Sequence, residues 1–182
     1  MTRLAPLQRS GMNEEQGAVF DEIVAKGGRL GGPYEAYIRI PGFMRLNQQV
    51  GDYLRSNSLS PRVRLLAVLL VVRHWNAAFA WATNAREALA AGLGQDVVEA
   101  INRNARPPLH DASDQVVYEL VTELLKQKRV SDETYRRAGE RLDETALVDL
   151  VATVGFYGMV CTTLTCFAVE PPPNAEQKLL PT

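Results

Sequence analysis

A continuous run of leucine, valine and alanine over residues 65–72 constrains the fold of this chain more than any other feature. It follows Ser60-Pro61, a strong helix start in which the serine is the N-cap and the proline takes the first helical position. The resulting helix is apolar on nearly every side, so it must be covered all round by the rest of the chain or by a partner subunit. The run is too short to span a bilayer.

The other apolar residues recur mainly at helical spacing, and no segment has a convincing strand pattern. Further helices are predicted over residues 12–26, 43–54, 76–91, 95–103, 113–127 and 144–168, with one more after Ser131. Residues 29–41 contain glycines and two prolines and are predicted to form an ordered loop. The expectation is a single all-α domain over residues 1–182, with arms or tails at 1–12 and 170–182.

Charge and composition exclude several classes of function. The chain has 182 residues, a net charge of −1 and 46% hydrophobic residues, as in an ordinary globular domain. Phosphate binding needs clustered positive charge, and Asp132 and Glu133 interrupt the nearest basic cluster. We therefore expect no nucleic-acid partner and no membrane partner. No apolar signal-peptide core opens the chain, so a cytoplasmic location is expected.

Three ordered segments carry a family resemblance: Ser-Pro-Arg-Val-Arg-Leu-Leu at 60–66, Phe-Ala-Trp at 79–81 and Ala-Gly-Leu at 91–93. Their order and spacing resemble the carboxymuconolactone decarboxylase and alkylhydroperoxidase D superfamily, and flanking segments extend the resemblance over about residues 31–173. It implies an all-helical fold with a central antiparallel helix pair. It also implies a homo-oligomer, commonly a trimer or hexamer, with sites near subunit contacts.

The chain departs from this superfamily at the positions that carry chemistry. Alkylhydroperoxidase D-type members have Cys-x-x-Cys followed by a His, and those positions are Ala77, Ala80 and Asn84 here. Decarboxylase-type members have a Glu before the Trp and a His after it, again at Ala80 and Asn84, and a further Glu at the position of Leu65. None of these side chains titrates near neutral pH. Peroxidase activity of the Cys-x-x-Cys type is therefore disfavoured, and the usual acid/base set is missing.

His74 is the best remaining titratable candidate, because it lies close to the family site and an ordinary histidine pKa suits proton transfer. We predict a catalytic role for it, the alternative being a partly buried histidine that a backbone carbonyl satisfies. Arg73 is predicted to bind a substrate carboxylate or enolate oxygen, the alternative being an ion pair with a protein acid.

Tyr34 and Tyr157 are predicted to act as catalytic acids or hydrogen-bond donors, and Tyr37, Trp81 and Asn84 to bind substrate. Each has a structural alternative. The alternative for the tyrosines is interface packing, the alternative for Trp81 is a place in the core, and the alternative for Asn84 is a polar remnant on a helix face.

Cys161 and Cys166 lie on one helix but are rotated by about 140°, so they do not share a face. We expect both to be buried free thiols rather than a redox pair. Two histidines and no acids at ligand spacing predict no metal site, and no cofactor is expected.

Two functions remain open. The first is a cofactor-independent, non-redox enzyme that binds a small-molecule ligand, an acidic, cyclic or aromatic-derived metabolite, for a lyase, isomerase or decarboxylase-like step. The second is a non-catalytic oligomeric binding or scaffold protein. A cavity with convergent polar groups near Trp81 and Asn84 would favour the enzyme, and a filled site would favour the scaffold.

Overall fold

A computed structural model describes residues 2–27 and 30–181, and over these residues the chain is helical with no strand. The helices are α1 (Glu14–Ala25), α2 (Tyr34–Tyr37), α3 (Pro41–Arg55), α4 (Pro61–His74), α5 (Ala78–Ala90), α6 (Gln95–Asn102), α7 (Ala112–Gln127), α8 (Asp132–Gly139) and α9 (Glu144–Cys166). The predicted all-helical fold is confirmed. Residue 29 of the predicted loop at 29–41 lies outside the described residues, and the rest of that segment contains the short helix α2 with Pro33 as its N-cap.

Local capping explains where the main helices begin. The side chain of Ser60 accepts a hydrogen bond from the Val63 amide at 3.3 Å, with Pro61 in the first turn of α4. The side chain of Asp143 accepts from the Ala146 amide at 2.8 Å at the start of α9. These contacts satisfy amide groups that have no partner inside the helix.

Helix α4 occupies the centre of the domain. It packs against α5, α7 and α9, and its residues 64–69 and 71–73 are buried. The chain's own helices thus provide the cover that the apolar run requires, and no partner subunit is needed for it. A smaller apolar cluster joins α1, α2 and α3 through Val19, Ile23, Ile38 and Met44.

Both ends of the chain are tied to the helical body. The Arg3 amide donates to the Phe167 carbonyl at 2.9 Å, just after α9. Near the other end, Asn102 donates to the Lys178 carbonyl and accepts from the Leu180 amide, each at 2.9 Å. The predicted arms are therefore docked segments over their described residues.

Helix α9 is long and apolar enough to span a membrane by length and composition, the one such helix in residues 2–27 and 30–181. It packs against α3, α4, α5 and α8, and one side of it carries the buried acid Asp149. These contacts are those of a helix in a domain core.

Candidate functional site

A cavity of about 260 Å³ lies between α3, α4, α5 and α9, and we call it the Asn84 cavity. Its aromatic and apolar lining comprises Pro33, Tyr34, Phe79, Ala80, Phe156, Tyr157, Val160 and Leu164, and its polar lining comprises Asn47, Arg55, Arg64, Thr83, Asn84 and Glu87, with Gly31 at the edge. The lining includes Ala80 and Asn84, two of the positions that the sequence resemblance aligned with the superfamily's reactive groups. The space beside these two side chains is therefore open rather than filled by other side chains.

Two buried polar groups in the lining have no hydrogen-bond partner. The Nε of Arg64, on the central helix, has no acceptor, and neither does the Nδ2 of Asn47 on α3. Asn84 differs from both, because its Nδ2 donates to the Ala80 carbonyl one turn earlier at 2.7 Å. Buried donors without acceptors are uncommon in folded proteins, and both of these donors belong to residues that line the cavity.

The phenols in the cavity are held neutral. Burial raises the pKa of Tyr157 above its ordinary value, and Glu87 adds to the rise, while Arg64 and Arg55 oppose it. Burial also raises the pKa of Tyr34. Both side chains can therefore donate a hydrogen bond or a proton at neutral pH.

Three of the predicted site residues line the Asn84 cavity: Tyr34, Asn84 and Tyr157. Tyr37 and Trp81 do not. The Tyr37 hydroxyl lies 2.9 Å from Thr163 Oγ1 in a hydrogen bond between the α2 region and α9. Trp81 is completely buried in the main core, with its indole nitrogen unpaired, which agrees with the structural alternative for that residue.

His74 and Arg73 lie elsewhere, at the C-terminal end of α4. His74 is exposed, and partial desolvation together with Lys128 and Lys126 lowers its pKa. Arg73 is buried and donates to the Leu180 carbonyl at 2.7 Å. Neither predicted role for Arg73, a ligand carboxylate or a protein acid, describes this contact. Arg73 instead binds a backbone carbonyl of the C-terminal segment. Neither His74 nor Arg73 lines the Asn84 cavity, so the functions predicted for them stay predictions.

Sequence reasoning missed the charged lining of the cavity. Arg64 immediately precedes the apolar run. A charged residue on an enclosed helix is uncommon, so its position alone indicates a candidate site residue. Glu87 lies one turn beyond Asn84 on α5, so both face the same side. The cavity lacks the superfamily's usual groups at Ala80 and Asn84, yet it is not free of ionisable side chains.

The two cysteines lie in different environments. Cys161 is buried, and burial raises its pKa to about 12. Cys166 is exposed, contrary to the prediction that both thiols are buried, because it lies at the last position of α9. In residues 2–27 and 30–181, no group of three or more His, Cys, Asp or Glu side chains is placed to hold a metal ion.

No family model and no curated protein matches this sequence. Solved structures do match. A peroxidase-related protein of Ralstonia eutropha JMP134, with an alkylhydroperoxidase AhpD core, aligns over 100% of this chain and 98% of its own at TM-score 0.79 and 12% identity. A peroxidase-related protein of Silicibacter sp. TM1040 aligns over 98% and 96% at TM-score 0.77 and 15% identity. The debrominase Bmp8, as a cysteine-to-alanine variant in complex with 2,3,4-tribromopyrrole, aligns over 95% and 93% at TM-score 0.74 and 11% identity.

At these identities the similarity establishes the fold. The chain has the AhpD-like helical fold that its sequence resemblance implied, and that prediction is confirmed.

Proposed function

We propose that this protein is a cofactor-independent, non-redox enzyme of the cytoplasm that acts on a small acidic, cyclic or aromatic-derived metabolite in the Asn84 cavity. The observation that carries the proposal is the cavity itself, an open space with aromatic walls and several polar groups in its lining. A small, mostly apolar cavity with a few placed polar groups is typical of ligand sites. The tribromopyrrole complex of the debrominase also supports a ring-sized ligand on this fold.

Proton transfer is the chemistry that the lining supports. The neutral phenol of Tyr157 is a hydrogen-bond or proton donor, and Glu87, close enough to raise the pKa of that phenol, is a carboxylate acceptor. Tyr34 supplies a second donor. A proton donor and a carboxylate acceptor in one cavity favour a lyase or isomerase step, with positioning supplying much of the rate.

Peroxidase chemistry is not part of the proposal, because the positions of the reactive thiols are Ala77 and Ala80. Neither cysteine lines the Asn84 cavity, and the thiol of Cys161 has too high a pKa to form a thiolate at neutral pH. The alternative function is a non-catalytic binding protein, which the loss of the usual acid/base groups favours. The two differ in whether bound ligand is turned over.

A thermal-shift screen over lactones, dienoic acids and aromatic acids tests the proposal. We expect at least one class to raise the melting temperature, because a ligand that binds only the folded state stabilises it. Ala80→Leu fills the cavity from α5 and is expected to abolish the shift. The matched control is Ala90→Leu, at an exposed position on the same helix. Absence of any shift with wild-type protein, or a shift that survives Ala80→Leu, would contradict a ligand site here.

Self-association remains a proposal, and one surface supports it. Leu46, Val50 and Tyr53 on α3 and Val148 and Val151 on α9 are exposed, with Val148 68% accessible. The Tyr53 hydroxyl donates to Asp149 Oδ1 at 2.7 Å, so the two helices present these side chains side by side. Contiguous exposed apolar groups of this kind mark association surfaces.

Light scattering after size exclusion tests this surface. We expect wild-type protein to elute as a homo-oligomer and the double variant Val148→Lys/Val151→Lys to elute as a monomer, because a buried charge without a partner is unfavourable. Tyr135→Lys, at an exposed position on α8, is the control and should leave the mass unchanged. A monomeric wild type would refute the assembly proposal.

A further inference from the structure

We propose that the Asn84 cavity selects a single-ring monocarboxylic acid, whose carboxylate is bound by Arg64 and Asn47. This inference rests on the proposed function and adds the position and number of the ligand's charges. The residues that carry it were not among the predicted site residues.

The first observation concerns Arg64. This residue is only 8% exposed, and its side-chain Nε has no hydrogen-bond acceptor. Among the described residues, no carboxylate forms an ion pair or a hydrogen bond with its guanidinium, whereas the neighbouring Arg62 pairs with Asp114. A buried cation without a partner is unfavourable, so its presence in the wall of a cavity indicates a missing anion.

Asn47 is the second, independent observation. It is 4% exposed and belongs to a different helix, α3, yet it lines the same cavity with an Nδ2 that has no acceptor. In this proposal each of the two residues binds one oxygen of the same carboxylate, a group that an arginine suits particularly well.

The rest of the lining limits the ligand's size and charge. A volume of about 260 Å³ is at the small end for ligand sites and suits one ring between Phe79, Phe156 and the two tyrosines. Arg55 is already paired with Asp52, which leaves Arg64 as the unpaired cation of the described lining. Glu87 is exposed at the edge of the cavity and opposes a second negative charge on the ligand.

Calorimetric titration with benzoate and benzamide tests the carboxylate subsite, since the two probes share shape and differ in charge. We expect wild-type protein to bind benzoate at least 10-fold more tightly than benzamide. Arg64→Met should bring the benzoate affinity down to that of benzamide and leave the benzamide affinity unchanged. Its melting temperature should equal or exceed that of wild type, because the variant removes a buried unpaired charge.

Three further variants sharpen the test. Arg86→Met removes an exposed arginine of α5 that does not line the cavity and should keep the full preference for benzoate. Asn47→Leu should weaken benzoate several-fold and gives a second readout if Arg64→Met does not fold. Terephthalate should bind more weakly than benzoate, and Glu87→Gln should reduce that difference.

The outcomes separate the two proposals. Equal affinity of wild type for benzoate and benzamide would overturn the subsite and leave the proposed function standing. A preference for benzoate that survives both Arg64→Met and Asn47→Leu would also overturn it. If neither probe binds wild-type protein, the subsite fails, and the proposed function fails for single-ring ligands as well.

Discussion

An Asp149→Asn variant is expected to lose about 3 kcal/mol of the free energy of unfolding. The carboxylate of Asp149 is buried and accepts three hydrogen bonds, from the Tyr53 hydroxyl at 2.7 Å and from the amide and hydroxyl of Ser58 at 2.9 and 2.7 Å. It thereby ties α9 to the end of α3 and to the connection before α4. An asparagine of the same size would place an amide donor against these donors and leave at least one of them buried without a partner.

The pH dependence of this loss has a definite sign. Burial raises the pKa of Asp149, but the hydrogen bonds from Ser58 and Tyr53 outweigh it and lower the pKa on balance. Its stabilisation is therefore complete above the unfolded-state pKa of about 3.9 and is lost as the pH falls through the lower folded-state value. Urea denaturation should show the full difference from wild type at pH 7 and a smaller one below about pH 4.

The control for this prediction is Asp132→Asn, an exposed acid in the first turn of α8 for which we expect no large change. If Asp149→Asn unfolds at the same urea concentration as wild type, the three hydrogen bonds do not hold these helices together.

An Arg62→Met variant is expected to lose about 2 kcal/mol of stability. Asp114, on α7, is fully buried and its only cationic partner in the described chain is Arg62 on α4. Removing the arginine leaves a buried carboxylate unpaired. The effect lies below the usual range for fully buried pairs because the Arg62 side chain is 37% exposed and is partly screened by water.

Acid should partly rescue Arg62→Met. Burial raises the pKa of Asp114 in the wild type even though Arg62 opposes the rise, so the variant's pKa should be higher still. When a carboxyl has a higher pKa in the folded state than in the unfolded state, its contribution to stability decreases as the pH rises. The same contribution increases as the pH falls through the folded-state pKa. The stability of Arg62→Met relative to wild type should therefore improve between pH 7 and pH 5 in urea denaturation.

The double variant Arg62→Met/Asp114→Asn completes a thermodynamic cycle. We expect it to be more stable than Arg62→Met alone, since the uncompensated buried charge is gone. A double variant whose loss equals the sum of the two single losses would show that the two side chains do not interact.

The sequence predicted most of the helices and some of the residues that line the cavity. Ser60-Pro61 and the apolar run predicted the central helix, which begins at Pro61 with Ser60 as its N-cap. Tyr34, Asn84 and Tyr157, distant in sequence, were placed in the site through the family resemblance, and all three line one cavity. The order of the segments was informative about which residues lie together, and the roles of these three stay predictions.

Two of the predicted site residues lie away from the Asn84 cavity, and there is a physical reason. His74 and Arg73 are adjacent to the site in sequence, but they lie at the C-terminal end of α4, where Arg73 binds the Leu180 carbonyl instead of a ligand. Because a helix advances about 1.5 Å with each residue, side chains at the two ends of α4 lie far apart although they belong to one helix. Arg64 lies more than two turns earlier on the same helix and lines the cavity.

The sequence by itself determined the helical fold, through the spacing of apolar residues and the caps, and it determined that no reactive cysteine stands at positions 77 and 80. These are local properties, which the order of residues encodes directly. Only the tertiary structure decided which charged side chains remain unpaired. Whether an arginine meets a carboxylate, as Arg62 does, or lines a cavity without one, as Arg64 does, depends on the packing of helices that are far apart in the chain.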